Sequence, residues 1–257
     1  MAPFDAARFD AALKTAALCR ALIYRPLVET TMTIAREQAA ASAAHGTLVL
    51  AEQQTAGRGR RGRSFWSPSG GNLYFTFVLR TSLEVHRLLP LSVPLAVVRA
   101  CRAEGVDARI KWPNDVWLDG AKLGGILIDA DLAPGGPVAF PGIGLNVNTD
   151  PTERPELARI ATSFRKALGR DVDRELLLAR ICGELEECLA WPSQQTSEHY
   201  RALSIVLGRP VTISPALGAA FEATATGIAD DGALLIERQR GREEKIFAAD
   251  VSVSPTE

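Results

Sequence analysis

The chain has 257 residues, 47% of them hydrophobic and 23% charged, with 21 Gly and 15 Pro. At roughly 150 residues per domain this is one large folded unit, or a large one with a small appendage, and collagen-like and low-complexity chains are excluded. Twenty-nine Lys and Arg against 30 Asp and Glu leave a net charge of -1, so no bulk attraction draws the chain to DNA or to an anionic membrane, and any anion binding must be local.

Asp5, Arg8, Asp10, Lys14 and Arg20 break up the Ala-rich N-terminus, which lacks the apolar stretch of a signal peptide. Thr31 to Ala44 reads as a helix and Thr47 to Ala51 as a buried strand. Asn72 to Leu79 reads as a second strand, and Leu88 to Glu104 as a helix whose Pro90 and Pro94 fall in its first turn or mark a break. The best candidate for an apolar span, Leu88 to Val98, is shorter than the roughly 18 residues that cross a bilayer and carries two prolines. Short strands follow at Ala108 to Trp112, Gly124 to Asp129 and Val138 to Asn146, joined by Gly, Pro and Asp turns. Asp173 is an N-cap for a helix to about Ala190, ended by Trp191-Pro192. Beyond Ser204 the spacing becomes that of short strands, at Val211 to Ile213, Phe221 to Ile228, Ala233 to Glu237 and Lys245 to Ala248, which read as a small antiparallel barrel. Cys19, Cys101, Cys182 and Cys188 form no C-x-x-C pair and read as buried free thiols of a cytoplasmic protein.

Four segments carry chemistry. Gly57 to Arg63 (GRGRRGR) puts four arginines and three glycines into seven residues, so backbone N–H groups and forked guanidinium donors can meet a carboxylate or phosphate. Alone, it could equally be a solvated or RGG-like loop, but it is followed by Ser64 to Asn72 (SFWSPSGGN) and then a strong strand, and is therefore embedded in a folded domain. Lys111 to Asp115 (KWPND) and Lys122 to Asp129 (KLGGILID) each set a lysine beside a strand, where its ammonium can neutralise an anion. A plain core Trp112, a turn at Pro113 to Asp115 and a bulge at Gly124-Gly125 are the bland alternatives. Gly142 to Asn148 (GIGLNVN) ends a strand with glycines and asparagines that can line a ligand.

In this order the segments resemble the biotin protein ligase family, whose pattern runs close to E-x-Q-x-A-G-R-G-R-x-G-R-x-W-x-S-P, then N-L-Y, K-W-P-N-D, K-L-G/A-G-I-L and G-x-G-I/L-N. This chain offers Glu52, Gln54, Ala56 to Arg63, Ser67-Pro68 and Asn72-Leu73-Tyr74 before KWPND, KLGGILID and GIGLNVN. The resemblance implies an α+β fold: a catalytic domain over 27–203, with helices packed on a mixed sheet, then an SH3-like barrel over 204–257. The 26 residues ahead of it would be an N-terminal extension. It implies ligation of biotin, through biotinyl-5′-AMP, to a lysine of the biotin carboxyl carrier domain of acetyl-CoA carboxylase or a related carboxylase, with ATP and biotin as substrates and Mg²⁺ accompanying the ATP.

By that pattern Thr30, Thr31, Gln54, Gly57, Arg58, Arg60, Lys122, Gly125 and Gly144 would surround biotin. Arg58, Arg60, Arg63, Lys111, Asn114 and Asn146 would lie toward the adenylate, and Lys122, Lys111, Arg60 and Asp115 would carry catalysis. Two positions depart from the pattern. Where the family reads D/E-S-T-N this chain reads Glu29-Thr30-Thr31-Met32, and Met32 cannot make an amide's hydrogen bonds. The family's loop Trp falls at Phe65, with Trp66 next to it. About 28 residues before Glu29 are too few for the three-helix DNA-binding domain of the repressor members, so the short, enzyme-only form is expected, with no DNA or membrane partner and a homodimer allowed. A lipoate or octanoate ligase or transferase is the nearest rival; a nucleic-acid module would need a wider basic stripe than this balanced chain supplies.

Overall fold

A computed structural model describes residues 2–133, 135–238 and 241–253. The two apolar strands expected from sequence become β2 (Thr47–Gln54) and β3 (Leu73–Arg80), and their alternation sorts the core. Leu48, Leu50, Leu73, Phe75, Phe77 and Leu79 join the main core, whereas Val49 and Val78 join a smaller cluster on the opposite face. Helix α2 (Thr31–Ala40) covers that smaller cluster through Met32 and Ala35, so Met32 is a core residue here.

The sheet has seven strands, in the order β1-β2-β3-β7-β6-β5-β4. The remaining members are β1 (Leu22–Val28), β4 (Arg109–Lys111), β5 (Asp115–Leu118), β6 (Ala121–Ala133) and β7 (Gly136–Leu145). Only β1 and β2 run parallel; every other pair is antiparallel, so the sheet is mixed. Helices α3 (Leu83–Ala103), α5 (Arg174–Leu189) and α6 (Ser193–Leu203) pack on the main-core face. Helix α4 (Phe164–Leu168) is a single short turn.

Several boundaries differ from the sequence reading. Helix α3 begins five residues earlier, where the Ser82 hydroxyl accepts from the Val85 N–H at 3.3 Å, and Pro90 and Pro94 lie inside it rather than in its first turn. Burial of nearly every residue from Leu89 to Val98 outweighs the two backbone bonds that the prolines remove. The N-terminal residues, expected as an extension over 1–26, are packed against the main core. Phe4, Leu13 and Leu18, with Phe9 of α1 (Ala6–Ala12), are buried in the main core, and β1 begins at Leu22. The Glu186 carboxylate accepts from the N–H groups of Ala16, Ala17 and Leu18 at 2.7–2.9 Å and fixes the segment to α5.

The C-terminal unit contains β8 (Pro210–Pro215), β9 (Phe221–Ile228), β10 (Leu234–Arg238), β11 (Arg242–Ile246) and β12 (Ala249–Val253). They form one antiparallel sheet in the order β11-β10-β9-β8-β12, and no pairing of β11 with β12 closes it into a barrel among the described residues. All four cysteines are free and buried. Among the described residues, no helix is long and apolar enough to cross a membrane.

Candidate active site

The KWPND segment is a hairpin. Lys111 pairs with Asp115 across the β4–β5 turn, so the turn holds both at the rim of one cavity of about 460 Å³. Trp112 is not plain core: its indole N–H donates to the Gly232 carbonyl of the C-terminal unit at 3.0 Å, and the Tyr200 hydroxyl of α6 donates to the Pro113 carbonyl at 3.3 Å. The Asn114 side-chain amide donates to the Ile126 carbonyl, locking the turn onto β6.

A bulge in β6 then brings Lys122 into the same place. Val116 pairs with Gly124, but Trp117 pairs with Lys122, leaving Leu123 extra. In a regular strand residues three apart face opposite sides; the bulge buries Leu123 in the core and lets Lys122 and Gly125 both face the cavity. The Lys122 ammonium lies 2.7 Å from Asp115 Oδ1. A Cβ at residue 125 would stand 3.0 Å from that ammonium, so glycine here leaves the lysine its place.

The Gly-Arg loop is a small hairpin over the cavity. The Gly59 N–H donates to the Arg63 carbonyl at 2.6 Å, and the Phe65 N–H to the Gly57 carbonyl at 2.8 Å. Arg61 and Gly62 at its tip have φ of 56° and 72°. The Phe65 ring lies directly over Gly144, where a Cβ would come within 2.6 Å of it, and its centroid is 6.0 Å from the Lys122 ammonium. Trp66 also lines the cavity, on the side of Arg154, whose guanidinium is 5.2 Å from its ring. Phe65 is therefore the aromatic beside Lys122 and Gly144.

At the far end the wall is neutral. Gln54 Oε1 accepts from the Thr31 N–H at 2.9 Å, and its amide donates to the Ser67 hydroxyl at 3.0 Å, tying β2, α2 and the loop together. The Thr31 hydroxyl is 2.8 Å from that of Thr76, and Thr30 caps α2. Met32, Leu127 and Gly142 complete a floor of apolar character.

Of the residues expected from sequence, Thr30, Thr31, Gln54, Arg58, Arg60, Arg63, Lys111, Asn114, Asp115, Lys122, Gly125, Gly144 and Asn146 all line this cavity. Gly57 does not; it sits behind the wall, its backbone bonded to Phe65. The Asn146 amide donates to the Thr162 carbonyl at 3.0 Å and so holds the 151–162 segment in place. Five cationic side chains, Arg58, Arg60, Arg63, Lys111 and Lys122, face two carboxylates, Asp115 and Asp250. A chain with a net charge of -1 thus gathers an excess of positive charge at one spot. Burial pushes the Arg60 and Lys111 cations below their ordinary values, the mark of charges held partly dry without a full complement of counter-ions.

The biotin/lipoate A/B protein ligase family matches residues 24–148, and the biotin protein ligase C-terminal domain matches residues 206–254. The bifunctional ligase/repressor BirA of Bacillus subtilis is 33% identical over 240 residues, covering 90% of this chain and 73% of its own. The chain belongs to the biotin protein ligase family. A second relative, the biotin–[acetyl-CoA-carboxylase] ligase of Mycobacterium tuberculosis, is 32% identical over 80% of this chain and 78% of its own. The biotin protein ligase of Aquifex aeolicus, solved in complex with biotin and ATP, superposes with a TM-score of 0.77 at 28% identity, covering 92% of this chain and all of that one.

Against this family frame, the residues that sequence reasoning missed stand out. Pro151, Leu157, Ile160 and Ala161 wall the cavity from a stretch with no regular periodicity, and Asp250, Val251 and Ser252 reach it from the C-terminal sheet. The alternation of Ala249, Val251 and Val253 with Asp250 and Ser252 was the signal for β12.

Proposed function

We propose that the protein ligates biotin, in an ATP-dependent reaction through biotinyl-5′-AMP, to a lysine of the biotin carboxyl carrier domain of acetyl-CoA carboxylase or a related carboxylase. The observation that carries this reading is the polarity of this cavity. One end offers neutral hydrogen-bonding groups and apolar floor, suited to an uncharged bicyclic ring; the other gathers Arg60, Arg63, Lys111 and Lys122, suited to a nucleotide's phosphates. The join lies at Lys122 and Phe65.

In the first step the biotin carboxylate attacks the α-phosphorus of ATP and pyrophosphate leaves. Two anions must approach, so Lys122 and Arg60 stabilise the charge that accumulates as the P–O bond forms, while Lys111 stands toward the phosphates. In the second step a neutral lysine amine of the carrier attacks the anhydride carbonyl and AMP leaves. Until then the anhydride must be kept from water, and the loop hairpin with Phe65 beneath it supplies the cover.

No group of three or more His, Cys, Asp or Glu side chains among the described residues is arranged to hold a metal ion. That fits Mg²⁺ as it binds with nucleotides, through one or two carboxylates, waters and the phosphates themselves. Asp115 is the residue that would hold it, and the ion would add positive charge at the phosphate oxygens.

The test is ATP–pyrophosphate exchange with biotin, octanoate or lipoate as the acid, followed by transfer to a carrier domain. Exchange that depends on biotin alone is expected. Exchange with octanoate or lipoate but not biotin would overturn the reading in favour of a lipoyl-type ligase.

A further inference from the structure

The four loop arginines have unequal partners. Arg63 Nη2 donates to both oxygens of Asp250 at 2.8 Å, and Arg61 donates to Asp250 at 3.3 Å and to the Ser214 carbonyl at 2.8 Å. Asp250 and Ser214 are paired across β12 and β8, so both anchors lie side by side on one rigid edge of the C-terminal sheet. Arg60, between them, meets only neutral acceptors, Asn114 Oδ1 at 3.4 Å and the Ala249 carbonyl at 3.2 Å. Arg58 has no carboxylate closer than Glu29, at 3.9 Å.

The loop therefore divides its labour. Arg61 and Arg63 spend their guanidinium groups on the Asp250 carboxylate, whereas Arg58 and Arg60, which meet no carboxylate at hydrogen-bond distance, are left for an anion in the cavity.

We propose that Asp250 is a positioning residue for the ligation: the Arg61–Asp250–Arg63 clamp pins the tip of the loop to the C-terminal sheet, aims the Arg60 guanidinium into the cavity and keeps the cover closed over the adenylate. The inference rests on the ligase reading for its effect on the adenylate. An ordinary surface ion pair contributes little, about 0–1 kcal/mol. This one differs in its geometry. Two guanidinium groups converge on one carboxylate that itself lines the cavity wall, and the tip they hold contains a non-glycine residue in the left-handed region, a conformation that needs support from outside the loop. Retention of a bound anhydride depends on how seldom the cover opens, so a clamp that acts only on opening affects release more than chemistry.

The test is the isosteric Asp250→Asn variant, with two readouts. In the enzyme without ligands, tryptic cutting after the loop arginines is expected to speed up about five- to tenfold, because local opening exposes them; this arm needs no biotin. In the loaded enzyme, release of preformed biotinyl-adenylate is expected to rise about tenfold, while pyrophosphate exchange slows by less. Asp250→Glu should recover part of both effects. Combining Asp250→Asn with Arg63→Gln should add little to either single change, because both remove one contact; the cutting compared is that after Arg58 and Arg60, since Arg63→Gln deletes a tryptic site. Arg61→Gln breaks the clamp from the loop side and serves if Asp250→Asn fails to fold. Cutting and adenylate release within twofold of the unaltered protein, or additive effects in the double variant, would overturn the clamp. If the unaltered protein shows no biotin-dependent exchange, the ligase reading fails, and the proteolysis arm still decides whether Asp250 holds the loop.

Discussion

Replacing Lys122 with Ala removes the cation nearest the join between the two ends of the cavity. Its loss acts twice. A positioned donor at a developing oxyanion is worth about 2.7–4 kcal/mol, or 100- to 1,000-fold in rate. The Asp115 carboxylate, 2.7 Å away in the intact protein, is then left facing two anionic substrates with its counter-ion gone. That repulsion adds to the loss of the donor, so the lower end of this range is the smallest effect expected. Adenylate formation should fall at least about 100-fold, measured as biotin-dependent ATP–pyrophosphate exchange in purified protein. Folding should survive, because the side chain is one-third exposed and packs no core. Lys122→Arg should recover little, since the ammonium already sits 3.0 Å from where a Cβ at residue 125 would be and a guanidinium is bulkier. Exchange by Lys122→Ala within tenfold of the unaltered protein would refute the reasoning.

Gly125→Ala should displace the Lys122 ammonium by a few tenths of an ångström and cut exchange by about tenfold with little change in thermal midpoint. Arg174→Ala should cost about 3–5 kcal/mol, lowering the midpoint by about 10 °C in a thermal melt, because it leaves the buried Glu52 carboxylate without the guanidinium 2.9 Å away; a fall under 3 °C would contradict this. Burial holds the Lys111 ammonium below the ordinary lysine value of 10.5, with Asp115 opposing the fall. Between the folded and unfolded values the unfolded chain binds more protons, so this group makes stability rise with pH across that window. The cation at the phosphates is lost over the same window, so exchange should decline on the alkaline side before pH 10.5, and Lys111→Met should flatten that decline while lowering the rate. The four buried thiols should resist alkylation in the native protein and react once it is unfolded, as counted by mass spectrometry; burial pushes the Cys188 thiol up to about 12.

The motifs were legible because each owes its pattern to local backbone demands. KWPND reads as a turn and forms one, and the lysines flank strands as their neighbours predict. Strand β1 was not legible. Its sequence, LIYRPLV, carries Arg25 and Pro26, and three of its seven side chains are exposed, because it is a sheet edge where a missing N–H costs nothing. Helix α3 was misplaced for the converse reason: its prolines argue for a break, and tertiary burial overrides them. The 151–161 wall is held by Asn146 and by backbone pairing of Lys122 with Ala161, contacts that no local pattern reveals. Asp250 was missed because its importance depends on a loop nearly 190 residues away in sequence.

The hydrogen bond from Trp112 to the Gly232 carbonyl bears on how such chains can be recombined. The two family matches are separate, one ending at residue 148 and the other beginning at 206, as if they were interchangeable modules. Yet the KWPND hairpin takes one of its supports from a turn in the second module, at a site where a buried indole N–H would otherwise have no acceptor. A chimera that joins this catalytic half to a foreign C-terminal half must reproduce a carbonyl at that one place. The two halves are thus heritable as a pair, and a graft is best judged by whether Trp112 still finds its partner.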